Sequence, residues 1–468
     1  MITPAGELPK QPPENDHLDR REGFMAEGSG RNLHSVIACN IGVMLEGFDF
    51  IAYNFFTFII IKLFFPTGND VTALMLAFAT FGLSYVIRPF GGIFWGIWAD
   101  TLGRRSALVW ISISMAVGVA ILALTPSYAT IGIAAPILIT LARLLQGFSA
   151  GGEFASATSL LVEYAPPGRK ALYSSTQMVS QVVTVAATIL IVLLLTWTLS
   201  PQALESYGWR AVFVVGILIG PVGLYMRSKL AESPEFADYV EKRGGPARTP
   251  LRDVFRHYPW QALCMAGIIV IGSASFYLFL VFLPVYSARE LKLGMDNAQI
   301  ATLIGCLIQV PTLFVAAWLA DRYGRRTVLL PASIAYAIIS YPLLSYLIGA
   351  PSFTSFLIVQ CVANVLIGLL SGPLPAMLSE LFPTQIRSSG IGIIYNLTGA
   401  IFGGLGPFFI TSLTRATGDK LSPAYWALIT GLIGAAAIYC LRYVRKTPEI
   451  GKLPDLTGLA ARPLTGTS

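Results

Sequence analysis

The chain has 468 residues, of which 54% are hydrophobic and only 12% charged, and its mean hydropathy is +0.66. That composition excludes an ordinary soluble domain and identifies a membrane protein. The formal net charge of +7 is carried by few charges in total, so membrane topology explains it before nucleic-acid binding does.

Residues 1–32 are polar and mixed in charge, with Pro12 to Asp16 and Arg20-Arg21, and lack the apolar core of a cleaved signal peptide. They read as a cytoplasmic tail. Apolar runs follow at about 33–63, 72–99, 106–125, 131–164, 171–198 and 208–229, then at 259–287, 297–320, 327–348, 353–381, 388–413 and 423–444. Each is long enough for the ~20 residues that cross a bilayer. The expected fold is therefore an all-α membrane protein of twelve transmembrane helices in two six-helix bundles, 33–229 and 259–446. A cytoplasmic linker at 230–258, rich in Lys and Arg and containing Gly244-Gly245-Pro246, joins them, and 447–468 forms a C-terminal cytoplasmic tail. The five cysteines (Cys39, Cys264, Cys306, Cys361, Cys440) are scattered through apolar runs without metal-ligand spacing and read as packing residues.

One polar loop occurs twice. Asp100-Thr-Leu-Gly103-Arg104-Arg105 follows the second run, and Asp321-Arg322-Tyr-Gly324-Arg325-Arg326 occupies the equivalent place in the second half. The repeat implies two homologous halves. These loops, with Arg169, Lys170 and Arg387, hold most of the inter-helix cations, whereas the alternate connections hold only Arg289, Lys292, Arg415 and Lys420. By the positive-inside rule the loops and both termini are cytoplasmic.

Ionisable residues at membrane depth are expensive, on the order of 3 kcal/mol each on insertion scales unless paired or facing a cavity. Five fall there, all in the first half: Glu46, Asp49, Arg88, Arg143 and Glu153. Either they neutralise one another in a packed interior or they carry function. Burial favours the protonated form of an Asp and a nearby Arg opposes it, so an Arg that moves switches whether Asp49 holds a proton. The second half offers neutral polar groups at similar depth: Ser273, Ser275, Tyr277, Gln309, Gln360, Asn364, Tyr395 and Asn396. With Gln177 and Gln181 of the fifth run they are candidates to line a polar cavity, or else to make helix–helix hydrogen bonds. The three histidines (His17, His34, His257) lie outside mid-span, and no metal-ligand cluster exists, so a membrane-embedded enzyme is not expected.

The paired loops resemble the signature of the major facilitator superfamily, and the resemblance covers about residues 33–446. Several stretches are similar to the metabolite:proton symporter family, whose relatives carry citrate, 2-oxoglutarate, shikimate or proline and betaine. They are Glu46-Gly-Phe-Asp49-Phe50, Arg88-Pro89-Phe-Gly91-Gly92, Arg143-Leu-Leu-Gln146-Gly147 with Gly151-Gly152-Glu153, Gly208-Trp209-Arg210, and Glu232-Ser-Pro234-Glu-Phe236. The chain departs from the family pattern at Gly47, Thr101, Ala211-Val212 and Ala317. It also ends soon after the last run, without the long coiled coil of some osmosensing relatives, which argues against osmolyte transport.

The resemblance implies a monomeric, multi-pass transporter of a bacterial inner membrane, using protons and no cofactor, in which two bundles rock about a central site. In that picture Asp49, Glu46, Arg143 and Glu153 handle the proton. Arg88, with Arg143, holds an anionic substrate among Gln177, Gln181, Tyr277, Gln309, Gln360, Asn364, Tyr395 and Asn396. A cytoplasmic gate comprises Asp100, Gly103, Arg104, Arg105, Glu163, Arg169, Asp321, Arg322, Gly324, Arg325, Arg326, Glu380 and Arg387. The expected substrate is a small carboxylate, of the di- or tricarboxylate class such as citrate, because a membrane-depth guanidinium matches a carboxylate in bidentate fashion. If Glu46 neutralises Arg88 permanently, a zwitterion such as proline or betaine fits better.

Overall fold

The computed structural model describes residues 28–65, 70–230, 232, 236 and 250–443. A bilayer leaves no water to satisfy the backbone, so each apolar run becomes a helix that bonds its own peptide groups. The first half holds α1 (Gly28–Phe64), α2 (Asp70–Leu102), α3 (Arg104–Leu124), α4 (Ala134–Tyr164), α5 (Lys170–Thr198) and α6 (Trp209–Ser228). The second holds α7 (Pro259–Arg289), α8 (Met295–Tyr323), α9 (Arg325–Gly349), α10 (Phe353–Glu380), α11 (Arg387–Thr417) and α12 (Ser422–Cys440). Among the described residues eleven segments are long and apolar enough to cross a membrane, and α2, 33 residues long, supplies the twelfth rod. The chain is thus an all-α, multi-pass membrane protein.

The helices are less regular than the runs suggest. α1 begins at Gly28, inside the stretch read as a tail, and the short helix Pro250–His257 occupies the described end of the expected linker. The rest of 230–258, apart from Leu230, Glu232 and Phe236, lies outside the described residues, as do 1–27 and the expected tail at 447–468. α7 and α11 each contain a π-helical turn, at Tyr277–Phe282 and Ala400–Gly404, and α10 is interrupted at Gly372-Pro373. Such turns insert an extra residue and rotate the phase of everything beyond them.

At the end carrying the repeated loops the two halves meet closely. A side chain on Gly92 would strike the Gly392 carbonyl at 2.5 Å, and one on Gly96 would lie 2.8 Å from the Ser389 Cα, so α2 and α11 pack backbone to backbone. The glycines of the loops have another task. Gly103 (φ 102°) and Gly324 (φ 97°) turn the chain between consecutive helices through a conformation that side chains disfavour, in equivalent places of both repeats.

Candidate functional site

Between the halves lies a cavity of about 510 Å³. Its walls run from mid-membrane residues such as Val43 and Gly47 to Phe55, Ile59, Leu204, Pro284 and Met295, at the end opposite the repeated loops. Toward the loop end it is closed by contacts between halves. Phe154 stacks on Tyr395 at 3.8 Å, Tyr85 and Tyr277 share a hydrogen bond of 2.8 Å, and the Asn396 amide donates to the Gly151 carbonyl at 2.6 Å. The π turn in α11 makes room for the tyrosines, since a Cβ on Gly403 or Gly404 would meet the Tyr277 or Tyr85 ring.

Much of the cavity wall is aromatic or aliphatic, its charged groups are Glu46, Arg88 and Glu153, and neutral polar groups including Gln177, Gln181, Ser273, Tyr277, Gln299, Thr302 and Tyr395 also line it. Arg88 rests its guanidinium on the rings of Phe50 (4.1 Å) and Tyr85 (4.6 Å). Its contact with Glu46 is a single one of 3.4 Å, and its Nε has no hydrogen-bond acceptor. Behind Phe50, off the cavity, lies a second pair. The Asp49 carboxylate accepts from Arg143 Nη1 at 3.0 Å and from the Gln146 amide at 2.9 Å, while Arg143 also donates to Gln146 Oε1 at 2.8 Å. Arg143 lies 4.6 Å from the centroid of the same Phe50 ring, so one phenyl group is in contact with both the cavity-facing arginine and the buried one. Arg143 Nε and Nη2 are without hydrogen-bond acceptors.

The third pair is the most complete. Glu153 binds Arg227 through both carboxylate oxygens, and Arg227 also donates to Ser112 Oγ (2.8 Å), Cys39 O (2.9 Å), Ala38 O (3.3 Å) and Leu108 O (3.3 Å). The pair ties α1, α3, α4 and α6 together, and Gly42 leaves the space in which the guanidinium sits. Arg227 was not among the sequence candidates because it closes the sixth run, where a cation normally reads as a membrane-edge residue. A mid-span Glu153 in need of a cation was the available signal. Gln146, Tyr85 and Glu232 also make contacts that sequence reasoning misses, although Gln146 and Glu232 stand within the symporter-like stretches.

The polar residues of the second half do not converge as expected. Tyr277 and Tyr395 line the cavity; Gln309, Gln360, Asn364 and Asn396 do not. The Gln360 amide donates to Phe279 O (2.9 Å), the Asn364 amide to Gln360 Oε1 (3.1 Å), and Gln309 is buried where α8 meets α10, its backbone carbonyl near Gly368. They turn into the packing of the second bundle, and Asn396 turns to the seam between halves. Composition gave their polarity, but helical phase decided their direction.

At the loop end the two repeats act in mirrored fashion. Asp100 accepts from the backbone N–H groups of Ser388 (3.2 Å) and Ser389 (2.8 Å), capping the start of α11 in the other half. Asp321 accepts from those of Ala171 and Leu172 (2.9 Å each), capping the start of α5 in the first half. Around Asp100, fully buried Arg104 reaches Asp100 and Glu163 (3.5 Å each) and donates to Thr384 O (2.5 Å), and Arg387 donates to Glu163 at 2.7 Å. Glu232 accepts from the backbone of Arg104 (3.0 Å) and Arg105 (3.3 Å). Around Asp321, Arg325 bridges Asp321 (3.1 Å) and Glu380 (3.0 Å). Arg169 and Arg322 are exposed, and Arg322 and Arg326 lie beside aromatic rings instead of acids. These three stand apart from the network.

Residues 41–311 and 288–466 both match the sequence profile of the Major Facilitator Superfamily. A citrate-proton symporter of Klebsiella pneumoniae is 36% identical over 423 residues, covering 89% of this chain and 94% of its own length. A proline/betaine transporter of Salmonella typhimurium is 30% identical over 441 residues, covering 91% and 86% respectively. Among solved structures, the proton:xylose symporter XylE bound to 6-bromo-6-deoxy-D-glucose superposes with a TM-score of 0.74 at 16% identity, covering 90% of this chain and 97% of that one, a likeness of fold alone. Doubled loops, twelve rods, a central cavity between halves and these matches agree: the chain belongs to the Major Facilitator Superfamily.

Proposed function

We propose that the protein is a proton-coupled symporter that imports a small carboxylate, of the di- or tricarboxylate class to which citrate belongs, by alternating access. The loop end is the cytoplasmic face, so the cavity faces outward and the reciprocal caps hold the inside closed. Asp49 carries the coupled proton, with Arg143 and Gln146 stabilising its ionised form, and Arg88 receives the substrate carboxylate. The single observation that carries this reading is Arg88 itself. It stands in the cavity wall with one loose acidic neighbour and rests on the Phe50 ring, which also contacts Arg143 of the buried Asp49–Arg143 pair. The likeness to a citrate-proton symporter supports the same class.

The test is uptake into proteoliposomes with and without an imposed proton gradient, across citrate, 2-oxoglutarate, succinate, shikimate, proline and betaine. Citrate-class uptake driven by the gradient is expected. Arg88→Gln should weaken the carboxylate about 10- to 100-fold, the loss of a hydrogen bond to a charged group worth ~1.5–3 kcal/mol. Undiminished carboxylate affinity in that variant refutes the assignment. The second reading, a zwitterion such as proline or betaine, rests on the Glu46–Arg88 contact and on the proline/betaine relative. Betaine uptake without a carboxylate response would select it.

A further inference from the structure

We propose that Glu46 and the substrate carboxylate compete for Arg88, so that substrate binding itself loads a second proton, on Glu46, separate from the one carried by Asp49. The inference rests on the reading above that a carboxylate enters the cavity. It is carried by the contrast among the three mid-membrane acid–base pairs. Asp49 is held by both Arg143 and Gln146, and Glu153 is held through both oxygens by an Arg227 whose Nε, Nη1 and Nη2 are all donating. Glu46 touches Arg88 once, at 3.4 Å, and Arg88 keeps its place through two aromatic rings. Two pairs are locked and one is loose. The loose pair is the one in the cavity wall, with side chains 14% and 19% exposed.

When an incoming carboxylate takes Arg88, Glu46 loses its cation. The groups that then face it are Glu153 on α4, Arg227 on α6, Tyr395 on α11 and Asp49 one turn along its own helix. Arg227 is committed to Glu153, and Asp49 to Arg143. Glu46 is left beside a second carboxylate across a void of about 10 Å³ lined by Gly42, Glu46, Ser112, Ser149, Glu153 and Arg227, about the space of one water. Neighbouring carboxylates in low dielectric cannot both stay ionised cheaply, so the unpaired one takes a proton. The step balances. The Glu46–Arg88 contact breaks, a carboxylate–Arg88 contact forms, and an O–H bond forms at Glu46 as a hydronium from bulk solution, relayed through cavity water, gives up its proton and becomes water. One negative charge and one proton enter together, and no electron moves.

The experiment counts protons taken up per citrate bound by the purified protein in weakly buffered detergent solution, with a pH-indicator dye. The Glu46→Gln variant should take up one proton fewer per bound citrate than the parent, and Glu46→Asp should match the parent. Protonation of citrate itself cancels in the comparison. Equal uptake by parent and Glu46→Gln overturns the proposal while leaving carboxylate transport standing. Absence of binding by every carboxylate of the panel overturns both. A measurement on the parent guards against a variant that does not fold: citrate should produce an infrared band of a newly protonated carboxylic acid in the protein, separable from citrate by isotopic labelling of the ligand. No such band also overturns the proposal.

Discussion

Replacing Asp100 by Asn tests the loop-end closure directly. The Asp100 carboxylate is fully buried, accepts two backbone N–H groups from the start of α11, and lies 3.5 Å from Arg104. Each hydrogen bond to a charged acceptor is worth ~1.5–3 kcal/mol, and a neutral one ~0.5–1.5 kcal/mol. Asn keeps one neutral acceptor, and its amide N–H₂ faces the second donor, orphaning the N–H of Ser388 or Ser389. With Arg104 still beside Glu163 and bonded to Ala99 O and Thr384 O, the loss falls on the two bonds made only in the closed form and comes to about 2–4 kcal/mol, a shift of about 30- to 1,000-fold toward the form open at this end. Ser159 reports that opening, because its hydroxyl meets Ser388 across the two halves at 3.1 Å and is wetted only when they part. In a cysteine-free background carrying Ser159→Cys, alkylation by an impermeant maleimide from the loop side should speed up at least ten-fold with Asp100→Asn. Rates equal within about two-fold would refute the capping argument.

Asp49→Asn keeps the shape of the buried carboxylate and removes its titration, so one proton fewer should enter per substrate and gradient-driven accumulation should fall while counterflow exchange persists; accumulation at the parent's level would remove Asp49 from the coupling step. Arg227→Gln leaves Glu153 charged and unpaired and should cost about 3–5 kcal/mol, read as a fall in the thermal unfolding midpoint in detergent. The double variant Arg227→Gln with Glu153→Gln should recover most of that loss, and a double variant no better than the single would mean that the pair is not what holds the four helices.

Much of the architecture was legible because a bilayer enforces simple rules. Runs of about 20 apolar residues became rods, and the two Asp-x-x-Gly-Arg-Arg loops marked equivalent corners of the two halves. Asp49, Arg143, Arg88 and Glu46 were found because charge at membrane depth is rare. What stayed hidden is set by direction and by distance along the chain. Gln360 and Asn364 are as polar as Gln181, yet they bond within their own bundle, and the π turns at Tyr277–Phe282 and Ala400–Gly404 spoil any extrapolation of helical phase from one end of α7 or α11 to the other. The Glu153–Arg227 bond joins α4 to α6, and only packing reveals that a cation at the tip of a run folds inward.

The reciprocal caps have a consequence for how the closure responds to its surroundings. Each is one copy of a self-complementary contact, the kind a two-fold axis produces, in which the surface that supplies the acid also supplies the helix start. The two copies have diverged in depth. Arg104, Asp100 and Glu163 are wholly enclosed, whereas Arg325 answers to a Glu380 that is 43% exposed. Dissolved salt screens the exposed pair within its ~8 Å Debye length at physiological strength and barely reaches the enclosed one. Ionic strength on the loop side therefore loosens one corner of the closure and leaves the other untouched, which makes the Asp321 corner the first to part.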